Sequence, residues 1–149
     1  MAETIFVVNP PEWPRPRGYA NGIVTAGEGE RILFVAGMVG WRMVPDSPEG
    51  VFDTDDLGEQ WVIALDSVLA VVRAAGGEPR HIARMTVYVT DLDAYRKATG
   101  TIGKAWKERL GRHYPAMALV CVAGLLEPGA KVEIEATCVL PRLSSEPTP

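Results

Sequence analysis

Residues 131–140, KVEIEATCVL, put two carboxylates one pleat apart. In an extended chain successive side chains point to opposite faces, so Lys131, Glu133, Glu135 and Thr137 share one face while Val132, Ile134, Ala136 and Cys138 share the other. Such a pair can be the wet side of a strand. It can also move protons, because burial and a neighbouring like charge both disfavour the ionised form and bring a carboxyl group toward the pKa of a useful general base. For an isolated Glu-Ile-Glu the wet side is the commoner outcome, and the residue pattern alone favours it.

The elements that would position this pair can be read from periodicity and punctuation. TIFVVN predicts a short strand ended by Pro10 and Pro11, and PEWPRPRGYANG a proline-stiffened loop. GIVTA and RILFVAGMV read as a hairpin joined through Gly27 and Gly29. A loop with Pro45 and Pro48 precedes a helix entered through DTDD, with Glu59 three residues beyond Asp56 as a capping box requires. Leu57, Trp61, Leu65, Val68, Val72 and Ala75 form its apolar stripe, and Gly76 and Gly77 end it. HIARMTVYV is a fourth strand. Asp91 or Asp93 caps a second helix with the stripe Leu92, Tyr95, Thr99, Ile102, Trp106 and Leu110, closed by Gly111. Gly100 and Gly103 weaken that helix by about 1 kcal/mol each relative to alanine, which predicts close packing there. The last strands, AMALVCVAG and KVEIEATCV, are joined by LLEPGA, where Pro128 and Gly129 suit the middle of a type II turn. The order βββαβαββ describes an α+β domain over residues 1–141, one mixed sheet with two helices on one face, followed by a disordered tail over 142–149.

Composition excludes several classes. The 149 residues are 47% apolar and 23% charged, with a net charge of −4 and a pI near 5.2. That balance argues against nucleic acid and anionic membranes as partners, since the basic residues form no run. The N-terminus has no basic leader before its prolines, and the longest apolar run, AMALVCVAGLL, falls short of the roughly 20 residues that span a bilayer. A cytoplasmic protein is the expectation. Cys121 and Cys138 fall in apolar strand patterns without a second thiol or histidine at metal-ligand spacing, so both are expected to be buried free thiols.

The strands ILFVAGMV and AMALVCVAG are apolar on both faces, whereas two helices cover only one face of a sheet. A second copy of the chain is the simplest cover for the other. Polar groups on that face would then line a cleft between subunits.

In motif order and spacing the chain resembles the RidA family, also known as YjgF/YER057c/UK114. The matching stretches are RGYANG, LFVAGMVG, ALDSVLAVVRAAGG, IARMTVYVTDLDAY, and YPAMALVCVAGL followed by KVEIEATCV as a closing hairpin. The resemblance implies a chorismate-mutase-like fold and a homotrimer with small-molecule clefts between subunits. It also implies hydrolysis of enamines and imines to 2-oxo acids and ammonia, without metal or organic cofactor. Carried across residue by residue, it places Tyr19, the Gly37 backbone, the residue at 117 and Glu133 around the substrate, with Glu133 positioning a water. The family's arginine that grips a substrate carboxylate is Met117 here, the hydroxyl residue after it is Ala118, and a helix asparagine that faces the pocket falls at Thr99.

A thioether offers apolar surface where a guanidinium would give two charged hydrogen bonds. Removing one partner of a desolvated charge pair costs about 2 to 5 kcal/mol. Arg17, Arg42 or His113 could supply another cation, although solvated loop positions are the simpler reading of all three, and Trp13 and Trp41 could equally wall the cleft entrance or anchor their loops. Three functions stay open at this point. They are an enamine or imine deaminase with altered substrate preference, a non-catalytic small-molecule-binding homotrimer and, weakest given the acidic pI, an endoribonuclease or translation inhibitor.

Overall fold

The alternating and apolar runs become six strands, β1 (Ile5–Val8), β2 (Gly22–Thr25), β3 (Arg31–Val39), β4 (Ile82–Val89), β5 (Ala116–Cys121) and β6 (Val132–Leu140). Helix α1 (Leu57–Ala74) links β3 to β4 through a 3-10 turn at Pro79–His81, and α2 (Leu92–Lys97) and α3 (Thr99–Leu110) link β4 to β5. The computed structural model describes residues 4–143. The tail read as disordered lies, from 144 onward, outside the described residues.

The predicted element order holds, with one break. The second helix is divided at Ala98, where Thr99 donates its hydroxyl to the Arg96 carbonyl at 3.0 Å. Asp56 caps α1 by accepting from the Glu59 amide at 2.9 Å. The capping box is not closed: the Glu59 carboxylate pairs instead with the Thr54 hydroxyl.

The sheet order is β1-β2-β3-β6-β4-β5. The pairs β1–β2, β2–β3, β3–β6 and β6–β4 are antiparallel, and β4–β5 is parallel. The expected closing hairpin is therefore wrong in pairing. β5 and β6 follow one another in the chain but lie on either side of β4, because β6 pairs with β3 and β4 at once while β5 takes the edge. The turn between them does have the predicted chemistry: Gly129 sits at φ +92° and the Ala130 amide donates to the Glu127 carbonyl at 3.0 Å.

Helix α1 lies across β3 and β6. Its buried stripe, including Leu57, Trp61, Leu65, Val68 and Val72, meets Leu33, Val35, Ile134 and Cys138 from the sheet. Helix α3 adds Ile102, Trp106 and Leu110, with the Trp61 and Trp106 ring centroids 6.0 Å apart. Arg109 on α3 holds Asp66 on α1 through two nitrogens, one of them at 2.9 Å. The close helix approach expected at Gly100 and Gly103 is absent, since both are exposed with open space where a Cβ would project. It occurs at Gly58, where a Cβ would stand 3.0 Å from the Ala98 methyl.

The other sheet face is bare. Ile32, Phe34, Val120 and Val139 are exposed on it. Cys138 points into the core, and burial pushes its thiol up to about 12. Cys121, expected to be buried, is exposed because β5 is an edge strand.

One buried side chain ties the helix layer to the approach to β6. Gln60 on α1 is fully buried, donates to the Thr54 and Gly129 carbonyls at 2.9 Å each, and accepts from the Lys131 amide at 2.8 Å. Gln60→Leu would leave three backbone groups unpaired, so its expected cost is about 3 kcal/mol or more, read from the urea midpoint at fixed protein concentration. A loss below about 1 kcal/mol would mean that these bonds do not anchor the turn.

Candidate functional site

Glu133 and Glu135 share a strand and a face, yet their surroundings differ. Across β4 the Tyr88 hydroxyl donates to Glu135 Oε1 at 2.9 Å, and Glu135 is exposed. Glu133 is half-buried and takes no side-chain hydrogen bond among the described residues. The β3–β6 pairing shifts register between Val35 and Met38, which brings Gly37 beneath it. A Cβ on Gly37 would lie 2.8 Å from Glu133 Cδ and closer still to Oε1. Only a glycine leaves the carboxylate room to rest against the β3 backbone.

Around it is a concavity of about 260 Å³, lined by Tyr19, Asn21, Gly37, Trp41, Glu127 and Glu133 among others. Burial first, then the charges of Glu135 and Glu127, push the Glu133 carboxyl above the usual carboxylate range. Burial and Glu127 also raise the Tyr19 hydroxyl. A half-buried carboxylate with open oxygens and a raised pKa can hold a water and accept a proton from it.

Of the residues singled out from sequence, Tyr19, Gly37 and Glu133 come together here. Met117 and Thr99 do not. Met117 stands opposite Met85 in the parallel β4–β5 pair and so shares the helix-side face, at the far edge of the sheet, while Thr99 is exposed at the start of α3. The suggested replacement cations are also elsewhere. Arg42 is held by Asp53 at 2.9 and 3.1 Å, His113 Nε2 lies 2.7 Å from the Ile82 carbonyl oxygen, and Arg17 lines a separate hollow between two loops.

Trp41 does wall this concavity. Trp13 packs on the core and, with Trp41, lines a larger hollow of about 540 Å³ between the loops and α1. Arg42, Asp53 and Asp66 there are already paired and Glu12 is its one further charged residue, whereas the smaller concavity gathers Glu49, Glu127 and Glu133 and is the chemical candidate.

Sequence reasoning missed Glu127, Glu49 and Asn21. Glu127 had a signal, since the turn into β6 must lie close to the start of that strand. Glu49 and Asn21 had none, because only the fold brings their loops there.

Residues 15–140 match the Endoribonuclease L-PSP family. The chain belongs to it. This is the RidA (YjgF/UK114) family of the sequence resemblance. The chain is 29% identical over 137 residues to a RutC family protein of Pyrococcus horikoshii, covering 91% of this chain and 96% of that one. It is 24% identical over 110 residues to the Homo sapiens 2-iminobutanoate/2-iminopropanoate deaminase, covering 74% of each. Among solved structures, Escherichia coli TdcF with bound serine superposes with a TM-score of 0.69 at 28% identity, over 90% of this chain and 98% of the other. The Escherichia coli YjgF gene product gives 0.70 at 28%, with the same coverage. These two structures thus share the fold over 90% of this chain.

The raised Glu133 pKa fixes a sign. A carboxyl group whose pKa is higher folded than unfolded weakens the fold as pH rises through that interval, and the penalty is absent below the unfolded value. Glu133→Gln is therefore expected to melt higher than the wild type near pH 7, with the difference vanishing below about pH 4. Thermal melts across that range check it, and a variant less stable at neutral pH would contradict the burial of an ionised Glu133.

Proposed function

We propose that this chain hydrolyses imines, with Glu133 positioning and deprotonating the attacking water in a cleft that a second copy of the chain completes. The observation that carries this reading is the Glu133 carboxylate resting on Gly37, half-buried and free of hydrogen-bond partners among the described residues. Water oxygen adds to the imine carbon as Glu133 takes one of its protons. The resulting carbinolamine is protonated on nitrogen, and ammonia leaves as the carbonyl forms. The Tyr19 hydroxyl and the Gly37 backbone orient the ligand.

The division of the site supports the assembly. Tyr19, Gly37 and Glu133 occupy one part of the protomer, whereas Met117 and Thr99 lie outside their concavity. The bare face with Ile32, Phe34, Val120 and Val139 is apolar enough to be buried by another copy. A cyclic trimer joins the β5 edge of one protomer to the Glu133 concavity of the next. The name of the human relative supplies the reaction class, imine deamination. The net charge of −4 and the carboxylates of the concavity repel phosphates, which sets the endoribonuclease reading behind this one.

Met117 is where this chain departs from the clamp its family resemblance implies. Met117→Arg is expected to raise kcat/KM for 2-iminobutanoate, generated in situ by a threonine dehydratase, by about tenfold, with the gain lost on adding Glu133→Gln. Formation of 2-oxobutanoate in the presence of an imine trap measures it. A folded Met117→Arg protein with no gain would favour a pure binding role. The assembly has its own test: light scattering should give three times the chain mass at micromolar concentration, and a stable monomer would remove the completed cleft.

A further inference from the structure

The part of the cleft that one protomer builds holds acids and no base. Glu49, Glu127 and Glu133 line it, and among the described residues no lysine, arginine or histidine does. Asn21 adds another acceptor. It is 2% exposed, its side-chain nitrogen donates to Asn9 Oδ1, and its own side-chain oxygen receives no hydrogen bond among the described residues. The rest of the wall is apolar or aromatic, with Met38, Val39, Trp41, Met43 and Leu126. Of the cations nearby, Arg42 pairs with Asp53, while Arg15 and Arg17 line an adjoining hollow that shares Pro48 with this one.

A ligand carboxylate brought into this part of the cleft would meet like charges at reduced dielectric. A cation would meet the carboxylates of Glu49, Glu127 and Glu133, with Asn21 and Trp41 also in the lining. Glu127 is near enough to Glu133 and to Tyr19 to raise the pKa of each, so its charge reaches both.

We propose that the ligand of this cleft is a cation, a protonated imine R–CH=NH2+ with an apolar R group and no carboxylate. This rests on the imine-hydrolase reading above and narrows its substrate class. The iminium nitrogen donates to Glu127 and to the Asn21 oxygen, and its carbon faces the water held by Glu133. The reaction balances as R–CH=NH2+ + H2O → R–CHO + NH4+. The carbon–oxygen bond forms as the C=N pair moves to nitrogen, a water proton passes through Glu133 to that nitrogen, and the C–N bond breaks. No electrons are exchanged. Such imines are supplied by two-electron oxidation of primary amines, in which R–CH2–NH2 gives up two hydrogens to an acceptor.

The same charges predict a pH dependence for binding. Glu133 is faced by Glu135 of its own strand, by Glu127 of the turn before β6 and by Tyr19 of the loop before β2; a cation favours its ionised form, so affinity should rise with pH through its raised pKa in the free protein.

Isobutyramidinium and isobutyrate test the inference, because they share a planar shape and differ in charge. Calorimetric titration of the assembled protein should show the amidinium binding at least about tenfold tighter than the carboxylate, and Glu127→Gln should cut that preference several-fold. Isobutyrate binding as tightly as the amidinium, or neither binding at millimolar concentration, overturns the proposal. A second arm follows ammonia release from the imine made by a flavin amine oxidase acting on isobutylamine, comparing wild type with Glu133→Gln. Amidinium binding without Glu133-dependent acceleration upholds the cation preference and removes the hydrolase reading. Glu133-dependent hydrolysis of 2-iminobutanoate with isobutyrate preferred does the reverse.

Discussion

The candidate site depends on a missing methyl group. At Gly37 the β3 backbone passes directly beneath Glu133, and a Cβ there would occupy the space of the carboxylate. The register shift between Val35 and Met38 creates that approach. Held against the backbone, the carboxylate loses part of its solvation and lies within range of the charges of Glu135 and Glu127, and all of these favour its protonated form. Glu135, two residues along the same face, has the Tyr88 hydroxyl and solvent instead. Two glutamates of one strand thus acquire different chemistry from their neighbours across the sheet, not from their own type.

The placement of β6 between β3 and β4 makes this possible. Glu133 faces Val39 on one side and Tyr88 on the other, so both flanks of the concavity are built on paired strands. The turn that carries Glu127 is fixed by its left-handed Gly129 and by the buried Gln60 amide. The β5 strand pays for this arrangement by taking the edge, which leaves Met117 and Cys121 exposed. That edge and the bare apolar face are the surfaces the proposed assembly covers.

The alternation of KVEIEATCV was a sound guide to which side chains share a face, because period two follows from the pleat itself. Element order was equally legible, since proline, glycine and capping aspartate act locally. Strand pairing was not. The run from β5 through a tight turn to β6 looks like a hairpin, and only the competition between β3, β4 and β5 for β6 decides otherwise. Glycine roles divided in the same way: Gly129 answers to a local turn, whereas the open space at Gly100 and Gly103 and the crowding at Gly58 are set by how helices cross. Glu133 entered through the alternation, Tyr19 and Gly37 through family resemblance, and the fold brings the three to one concavity. Glu49 and Asn21 could not be found, because no local pattern links their loops to β6.

The central claim is that Glu133 is an acid–base group tuned by its burial against Gly37 and by the charges of Glu135 and Glu127. Carbon-detected NMR titration of the Glu133 side-chain carboxyl, in the wild type and in Glu127→Gln, measures this most directly. The account predicts a midpoint above the ordinary glutamate value of about 4.3 in the wild type, moving downward when the Glu127 charge is removed. A Glu133 that titrates at the ordinary value, and does not respond to Glu127→Gln, would contradict it.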